Sequence, residues 1–312
     1  MSRLSEFFIG FRNYKQDLKP WGLSKIHFLK SEWEDIDEPE VSWWYLIWRG
    51  CYALFCIFTL IFSICTSTHR HLWLIFLTRW SLVVQLIYSL LFFIVLVHHV
   101  ITRRKDRIKR DNKESTPQDT PIETFEIQKL QIPNKNNKVE SALWILTGIV
   151  GTVPVFVSVG YWLIVYPKEG HLTATRLFVS VCLHGINAIF ALADTMINSL
   201  PVRVTHFVFL LMFGITYAVF SGLYEVAGGP YKWPDRPYIY PPLNWRENPT
   251  GAFINSIFAI IVMTLFYYLL WLLYILRLRL VSTCSSRRDR QSCHYLHQYW
   301  LHNKTITPAP DA

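Results

Sequence analysis

The chain has 312 residues, of which 52% are hydrophobic, 16% aromatic and only 17% charged, and its formal net charge at pH 7 is +9. This composition is too apolar for an ordinary soluble domain or a disordered chain. The positive charge by itself would suit a nucleic-acid-binding protein. Because the basic residues flank apolar runs and no recognition motif accompanies them, we predict no nucleic-acid partner.

The first 44 residues are predicted to be a cytoplasmic segment without the apolar stretch of a cleavable signal peptide. Within them Leu4, Phe7, Phe8 and Phe11 recur at helical spacing, with basic residues nearby. This pattern is typical of a helix that lies in the membrane interface. A helix packed on the rest of the protein, or a frayed terminus, fits the same pattern.

Six apolar segments are long enough to cross a bilayer, and they must be helical because the hydrocarbon offers their backbone groups no other partners. They cover residues 45–65, 80–101, 142–166, 177–197, 204–223 and 251–276. We therefore predict an all-α protein, a polytopic transmembrane six-helix bundle over residues 45–276, followed by a cytoplasmic tail over 277–312.

The basic residues predict the orientation of this bundle. The N-terminal segment, the linker 102–140, the turn after the fourth segment and the tail carry 23 Lys and Arg residues, against 7 in the other three loops. By the positive-inside rule both termini should be cytoplasmic, in an integral protein of the plasma membrane or the endoplasmic reticulum. The basic cluster from Arg103 to Arg110 is expected to attract anionic lipids.

The two long connections differ in composition. The linker 102–140 is rich in charge and carries Pro117, Pro121 and Pro133, which is typical of a mobile segment. The loop 227–250 instead alternates aromatic residues with prolines. That pattern predicts either an ordered outer cap at the level of the lipid headgroups or a surface that binds a membrane-protein partner.

Cysteine positions predict lipidation rather than disulfides or metal. Cys284 and Cys293 follow the last apolar segment on the predicted cytoplasmic side, where S-palmitoylation takes place. The other four cysteines lie in or at the ends of the apolar segments. Cys293, His294 and His297 lack two further ligands at a recognisable spacing, so no metal or other cofactor is predicted.

Polar side chains interrupt the apolar segments, where their burial is costly unless they face a protein interior. His184, Asn187 and Asp194 fall on one flank of the fourth helix. Arg49 needs a counter-charge, for which Asp194 and Glu225 are the candidates. The predicted polar core consists of Arg49, Gln85, Asn187, Asp194, His206, Tyr217 and Glu225.

Three functions are open to these polar residues. They can form hydrogen bonds that hold the helices together. They can also form a hydrolytic site, with the Thr78 hydroxyl as nucleophile and His184 or His206 as base. A proton or ion pathway through Asp194 is less favoured, because no discontinuous helix pair or internal repeat marks a transport site.

Four landmarks together resemble one known family. They are Ser31-Glu32-Trp33; Leu77-Thr78-Arg79-Trp80; His184-Gly185-Ile186-Asn187 followed by Asp194, Pro201, Arg203 and His206; and the run from Tyr238 to Trp245 with Pro249 and Gly251. The pattern is similar to that of the protein rolling stone family over roughly residues 25–280. The resemblance implies a multi-pass membrane protein with a role in membrane organisation or in cell–cell fusion, as in the myoblast fusion associated with the namesake.

A more distant resemblance is to the androgen-induced and androgen-dependent family of intramembrane threonine hydrolases, which cleave fatty acid esters of hydroxy fatty acids with a Thr and a His. It places their threonine on Thr78. Their His-Gly-x-His pattern has Asn187 here in place of its second, catalytic His. Because Asn is not a base near neutral pH, hydrolysis would require His184 instead. The sequence therefore leaves enzymatic activity open, with a lipid-ester hydrolase as the alternative function.

Overall fold

The structure, a computed structural model, describes residues 25–34, 41–111, 138–168, 172–231 and 238–304. It describes the side chains of these residues except at 110, 111 and 285–304. The interfacial helix expected near the N-terminus, most of the linker 102–140 and the side chain of Cys293 lie outside the described residues. Within them the chain is helical, apart from turns and one isolated β-bridge between Ser31 and Asn198.

Six helices are long and apolar enough to cross a membrane, which confirms the predicted all-α six-helix class. We number them spans 1 to 6: Trp43–Cys65, Leu77–Lys109, Lys138–Val165, Ala174–Ile197, Val204–Val226 and Pro249–Cys284. Successive spans run in opposite directions, so span 1 begins and span 6 ends at the same side of the bundle. We call that side the termini face and the opposite side the loop face.

Two of the helices are longer than their apolar segments. The helix of span 2 continues to Asp111, into the region expected to be linker, and the helix of span 6 continues to Lys304. Lys and Arg are good helix formers, and their long side chains keep the charge in water beside a helix that leaves the membrane. Apolar length therefore gives the part of each helix in lipid, but not its end.

Span 3 lies at the centre of the bundle and packs against spans 2, 4, 5 and 6. Half of its apolar window is buried, against 17% for spans 5 and 6. A Cβ added at Gly148 would lie 2.8 Å from the Tyr267 ring of span 6, and one added at Gly151 would lie 2.8 Å from Leu270. The missing side chains let the two backbones approach closely, as is common between membrane helices.

Spans 3 and 4 each contain a π-helical turn, at Tyr161–Val165 and Val181–Ile186. The two turns contact one another, because the Tyr161 ring stacks on the His184 imidazole with centroids 3.8 Å apart. Such turns often occur at functional sites. They direct attention to the interior around His184.

The segment 25–34 is an integral part of the bundle. Its short helix Ile26–Leu29 buries Phe28 and Leu29 in the main apolar cluster. Beyond that helix, the Glu32 N–H donates to the Ile197 carbonyl at 3.1 Å, where span 4 ends. The segment 25–34 therefore closes the bundle at the termini face.

Candidate functional site

The buried charge of Arg49 is neutralised by Asp194 in the half of the bundle nearer the termini face. Arg49 Nη1 lies 2.6 Å from Asp194 Oδ1, and the two side chains are 0% and 3% exposed. The guanidinium also donates to the Tyr45 hydroxyl at 2.8 Å and lies 3.6 Å from the centroid of the Phe92 ring. Of the two carboxylates expected to oppose Arg49, Asp194 is the one in contact.

Both oxygens of Asp194 are fully engaged. Oδ1 accepts from the Trp48 indole at 3.0 Å and from Arg49, whereas Oδ2 accepts from the Tyr88 hydroxyl at 2.8 Å and from the Asn198 amide at 3.2 Å. A carboxylate offers about four lone-pair sites, so four donors occupy its capacity. This arrangement locks spans 1, 2 and 4 together and leaves Asp194 poorly placed to accept a passing ion or proton.

A second polar layer lies nearer the middle of the bundle. The Gln85 amide donates to the Tyr52 hydroxyl at 2.6 Å and to the Asn187 carbonyl at 3.3 Å. Within the described residues, Gln85 Oε1 and Asn187 Oδ1 are buried without a hydrogen-bond partner. Buried acceptors are nearly always satisfied in folded proteins. The two unpaired oxygens of this layer can therefore accept hydrogen bonds from a water molecule or a polar ligand.

His184 lies beside this layer in the π-helical turn of span 4. Its side chain is 7% exposed, and its carbonyl accepts a hydrogen bond from the Ser158 hydroxyl. Stacking against Tyr161 fixes the orientation of the imidazole. Among the described residues, no group bonds its Nδ1. The imidazole is therefore held in place with one nitrogen unused.

Thr78 lies at the loop-face end of span 2, where the structure brings it together with Tyr240. The Tyr240 hydroxyl accepts the Leu77 N–H at 3.1 Å and interacts with the Thr78 hydroxyl. The described hydrogen bonds do not join Thr78 to His184. The contact between nucleophile and base that a threonine hydrolase requires is thus not formed in this conformation.

His206 is at the wrong end of the bundle to serve Thr78. It lies at the start of span 5, near the termini face, with its ring 5.2 Å from that of Trp144. Tyr217 lies further along span 5 and donates to the Ile75 carbonyl at 2.8 Å, which ties the span to the turn before span 2. Of the two His residues considered as a base, only His184 shares the loop-face half with Thr78.

Glu225 does not approach Arg49, because it lies at the opposite end of the bundle, where it organises the described part of the loop after span 5. Its two oxygens accept the backbone N–H groups of Ile239 at 3.1 Å and Trp245 at 2.9 Å. The Arg246 side chain donates to the Glu225 carbonyl at 3.0 Å. We call residues 238–248 the loop-face cap, and a buried carboxylate holds it on the bundle.

Arg277 is a structural residue that the sequence analysis did not single out. It is fully buried in span 6 and donates to the carbonyls of Thr195 at 2.7 Å, Leu200 at 3.2 Å and Asn198, with Glu32 Oε2 3.7 Å away. It thereby caps the free carbonyls at the end of span 4, where the helix dipole favours a cation. The available signal was the pair Arg277 and Arg279 at the end of the last apolar run.

Among the described ionisable groups outside the spans, His27 and Tyr240 have perturbed pKa values that bear on the candidate site. Burial lowers the pKa of His27, which donates through Nδ1 to the Ser199 carbonyl at 3.0 Å, and the nearby Arg277 lowers it further. Burial raises the pKa of Tyr240. His27 is therefore held neutral in the docked N-terminal segment, and Tyr240 stays a neutral hydroxyl beside Thr78.

The remaining predictions concern metal binding, lipidation and the attraction of anionic lipids. Within the described residues, no three His, Cys, Asp or Glu side chains form a group that could hold a metal ion. Cys284 is an exposed thiol at the end of span 6. Arg104, Lys105 and Lys109 of the basic cluster are exposed at the termini face.

The six apolar helices and their buried ion pair define a polytopic helical membrane protein with a polar interior. A family model described as Protein rolling stone matches residues 12–288, so the chain belongs to the rolling stone family. Protein rolling stone from Drosophila melanogaster is 21% identical over 258 residues, which are 81% of this chain and 84% of that protein. No solved structure matches the chain.

Proposed function

We propose that this protein acts at the cell surface as an organising component of cell–cell fusion, and that the loop-face cap is the part that meets the partner. The observation that supports this proposal is that Glu225 fixes the loop-face cap to the bundle. A loop fixed by two hydrogen bonds to a buried carboxylate presents a preorganised surface, which costs less entropy on binding than a flexible loop would.

The surface of the cap suits a protein partner. Pro241, Pro242, Arg246 and Glu247 are exposed on it, whereas Ile239 is buried beneath. The indole of Trp245 donates to the Ser221 hydroxyl of span 5 at 3.1 Å, so the cap is held on the bundle at both ends. Rigid prolines beside charged side chains form a surface of fixed shape with both signs of charge.

A dye-mixing assay between two cell populations that express the protein tests this function. Wild-type protein should raise cytoplasmic mixing above cells with empty vector. The double substitution Asp235→Asn with Pro237→Thr adds a glycosylation sequon to the loop 227–250. It should abolish the gain, because a bulky glycan attached three residues before the cap would hinder a partner protein. Asp235→Asn alone adds no sequon and is the matched control. Wild-type protein that reaches the cell surface without raising mixing would refute the proposal.

The unused nitrogen of His184 supports a second candidate, a lipid-ester hydrolase with a Thr78 nucleophile and a His184 base. It requires a rearrangement that moves Thr78 from Tyr240 toward His184. Purified protein should then react with a fluorophosphonate probe or cleave a fatty acid ester of a hydroxy fatty acid, and Thr78→Ala should remove both activities. Folded protein that does neither excludes this candidate.

A further inference from the structure

Arg79 is a cation at the loop-face end of span 2 for which the described residues provide no ion-pair partner. It is the third residue of the span 2 helix, at the loop face, and its guanidinium lies 5.2 Å from the centroid of the Trp73 ring. Its Nη1 is buried and, among the described residues, has no hydrogen-bond partner. Arg49 and Arg277, which are fully buried, differ from Arg79, because Arg49 contacts Asp194 and Arg277 caps four acceptors near Glu32.

A second unpaired polar atom lies in the same part of the bundle as Arg79. The charge of Arg79 acts on the imidazole of His184, whose buried Nδ1 is without a partner in the described part of the chain. A buried N–H group of a guanidinium that has no hydrogen-bond partner carries a desolvation cost. An anion bound from outside the protein would remove that cost.

An apolar groove begins at Trp80, the residue that follows Arg79 in span 2. It has a volume of about 340 Å³, lies between spans 2 and 5, and is lined by Leu74, Trp80, Val83, Val84 and Phe220. Val83 is four residues after Arg79 and so lies one helical turn further into the membrane on the same side of span 2.

We propose that Arg79 and this groove form a phospholipid site, in which the guanidinium holds the phosphate and an acyl chain lies against Trp80, Val83 and Val84. The planar fork of an arginine binds two phosphate oxygens at once, and the first turn of span 2 adds the positive end of a helix dipole. Phosphodiesters are the anions that a bilayer presents at the ends of a membrane span. The inference goes beyond the proposed function and does not depend on the cap.

Native mass spectrometry of the full-length protein in detergent tests the site with dioleoyl phosphatidylglycerol as the probe. Arg79→Gln should weaken its binding by about tenfold or more, the loss expected for a charged hydrogen-bonded contact. Arg176→Gln is the matched control, because Arg176 is an exposed arginine at the same face. It should leave binding within about twofold of wild type, as expected for a solvated surface charge.

Further arms separate the parts of the site. Val84→Trp fills the groove and should weaken phospholipid binding while leaving Arg79 intact, which also tests the site if Arg79→Gln does not fold. Dioleoylglycerol, which lacks the phosphate, should bind weakly. The proposal is overturned if folded Arg79→Gln retains the phospholipid like wild type, if Val84→Trp has no effect, or if dioleoylglycerol binds as tightly. It is also overturned if inorganic phosphate binds at Arg79 while phospholipid does not.

Discussion

Asp194 is the residue on which the polar interior depends, because four side-chain donors converge on its two oxygens. Asp194→Asn would remove the negative charge and leave Arg49 buried without compensation. Breaking a buried ion pair in this way costs about 3–5 kcal/mol. We expect a large drop in the midpoint of thermal unfolding of detergent-solubilised protein, measured by intrinsic tryptophan fluorescence.

The same pair allows a test by a double-mutant cycle. Arg49→Leu alone should also destabilise the protein, since it leaves the carboxylate of Asp194 unpaired. Arg49→Leu combined with Asp194→Asn removes both charges and should recover part of the loss, because only the uncompensated charge carries the large penalty. Strictly additive losses in the double variant would show that the two side chains do not stabilise one another.

His27 should make the docking of the N-terminal segment depend on pH. Its pKa is lowered in the folded protein, so below about pH 6.5, the ordinary value for His, the unfolded state binds the proton more readily. Its contribution to stability is therefore complete above that pH and is lost as the pH falls. We expect the difference in unfolding midpoint between wild type and His27→Gln to shrink from pH 7.5 to pH 5.5. An unchanged difference would contradict the assignment.

Single residues differ in how far the sequence could predict their partners. Arg49 and Asp194 were matched as candidates because few charges enter the spans and opposite signs must pair there. The structural role of Arg277 was not predicted, because its partners are backbone carbonyls. The sequence of side chains does not show where the free carbonyls at the end of a helix lie. The Thr78 contact with Tyr240 depends on how a distant loop folds back, which local spacing does not determine.

The close packing of spans 3 and 6 depends on Gly148. A Cβ at this position would lie 2.8 Å from the Tyr267 ring, which is held in place because its hydroxyl donates to the Arg203 carbonyl at 2.6 Å. We expect Gly148→Ala to destabilise the protein by about 1–3 kcal/mol, the usual cost of overpacking. The measurement is again the unfolding midpoint in detergent.

Gly160 provides the matched control in the same span. A Cβ there would meet nothing within 4 Å. Because Ala favours a helix by about 1 kcal/mol over Gly, Gly160→Ala should be neutral or stabilising. Equal effects of the two substitutions would show that the contact with Tyr267 does not limit the approach of the helices.

At the level of whole elements, apolar length predicted which segments are spans but not their local geometry. The π-helical turns at Tyr161–Val165 and Val181–Ile186 leave no mark in hydropathy, because one added residue in a turn changes neither length nor composition appreciably. The packing of the segment 25–34 into the bundle was likewise not predicted from the sequence. Its helix Ile26–Leu29 is too short for a periodic pattern, and its position depends on contacts with the end of span 4.

In the whole molecule, the two faces of the bundle carry different chemistry. Near the termini face lie the Arg49–Asp194 ion pair, the Arg277 side chain at the end of span 4 and the exposed basic end of span 2. At the loop face lie Arg79, Tyr240 and the loop-face cap. Span 1 begins and span 6 ends at the termini face. The distribution of charge predicts that this face is cytoplasmic.

Glycosylation mapping in microsomes tests that orientation. Asp235→Asn with Pro237→Thr places a sequon in the loop 227–250, and it should be modified because that loop is predicted to enter the lumen. The natural sequon Asn303-Lys304-Thr305 should stay unmodified on the cytoplasmic side, and Asp235→Asn alone shows that any mobility shift requires the new sequon. Modification at Asn303 with none in the loop would reverse the orientation. In that case the loop-face cap would face the cytoplasm, where it could not meet another cell.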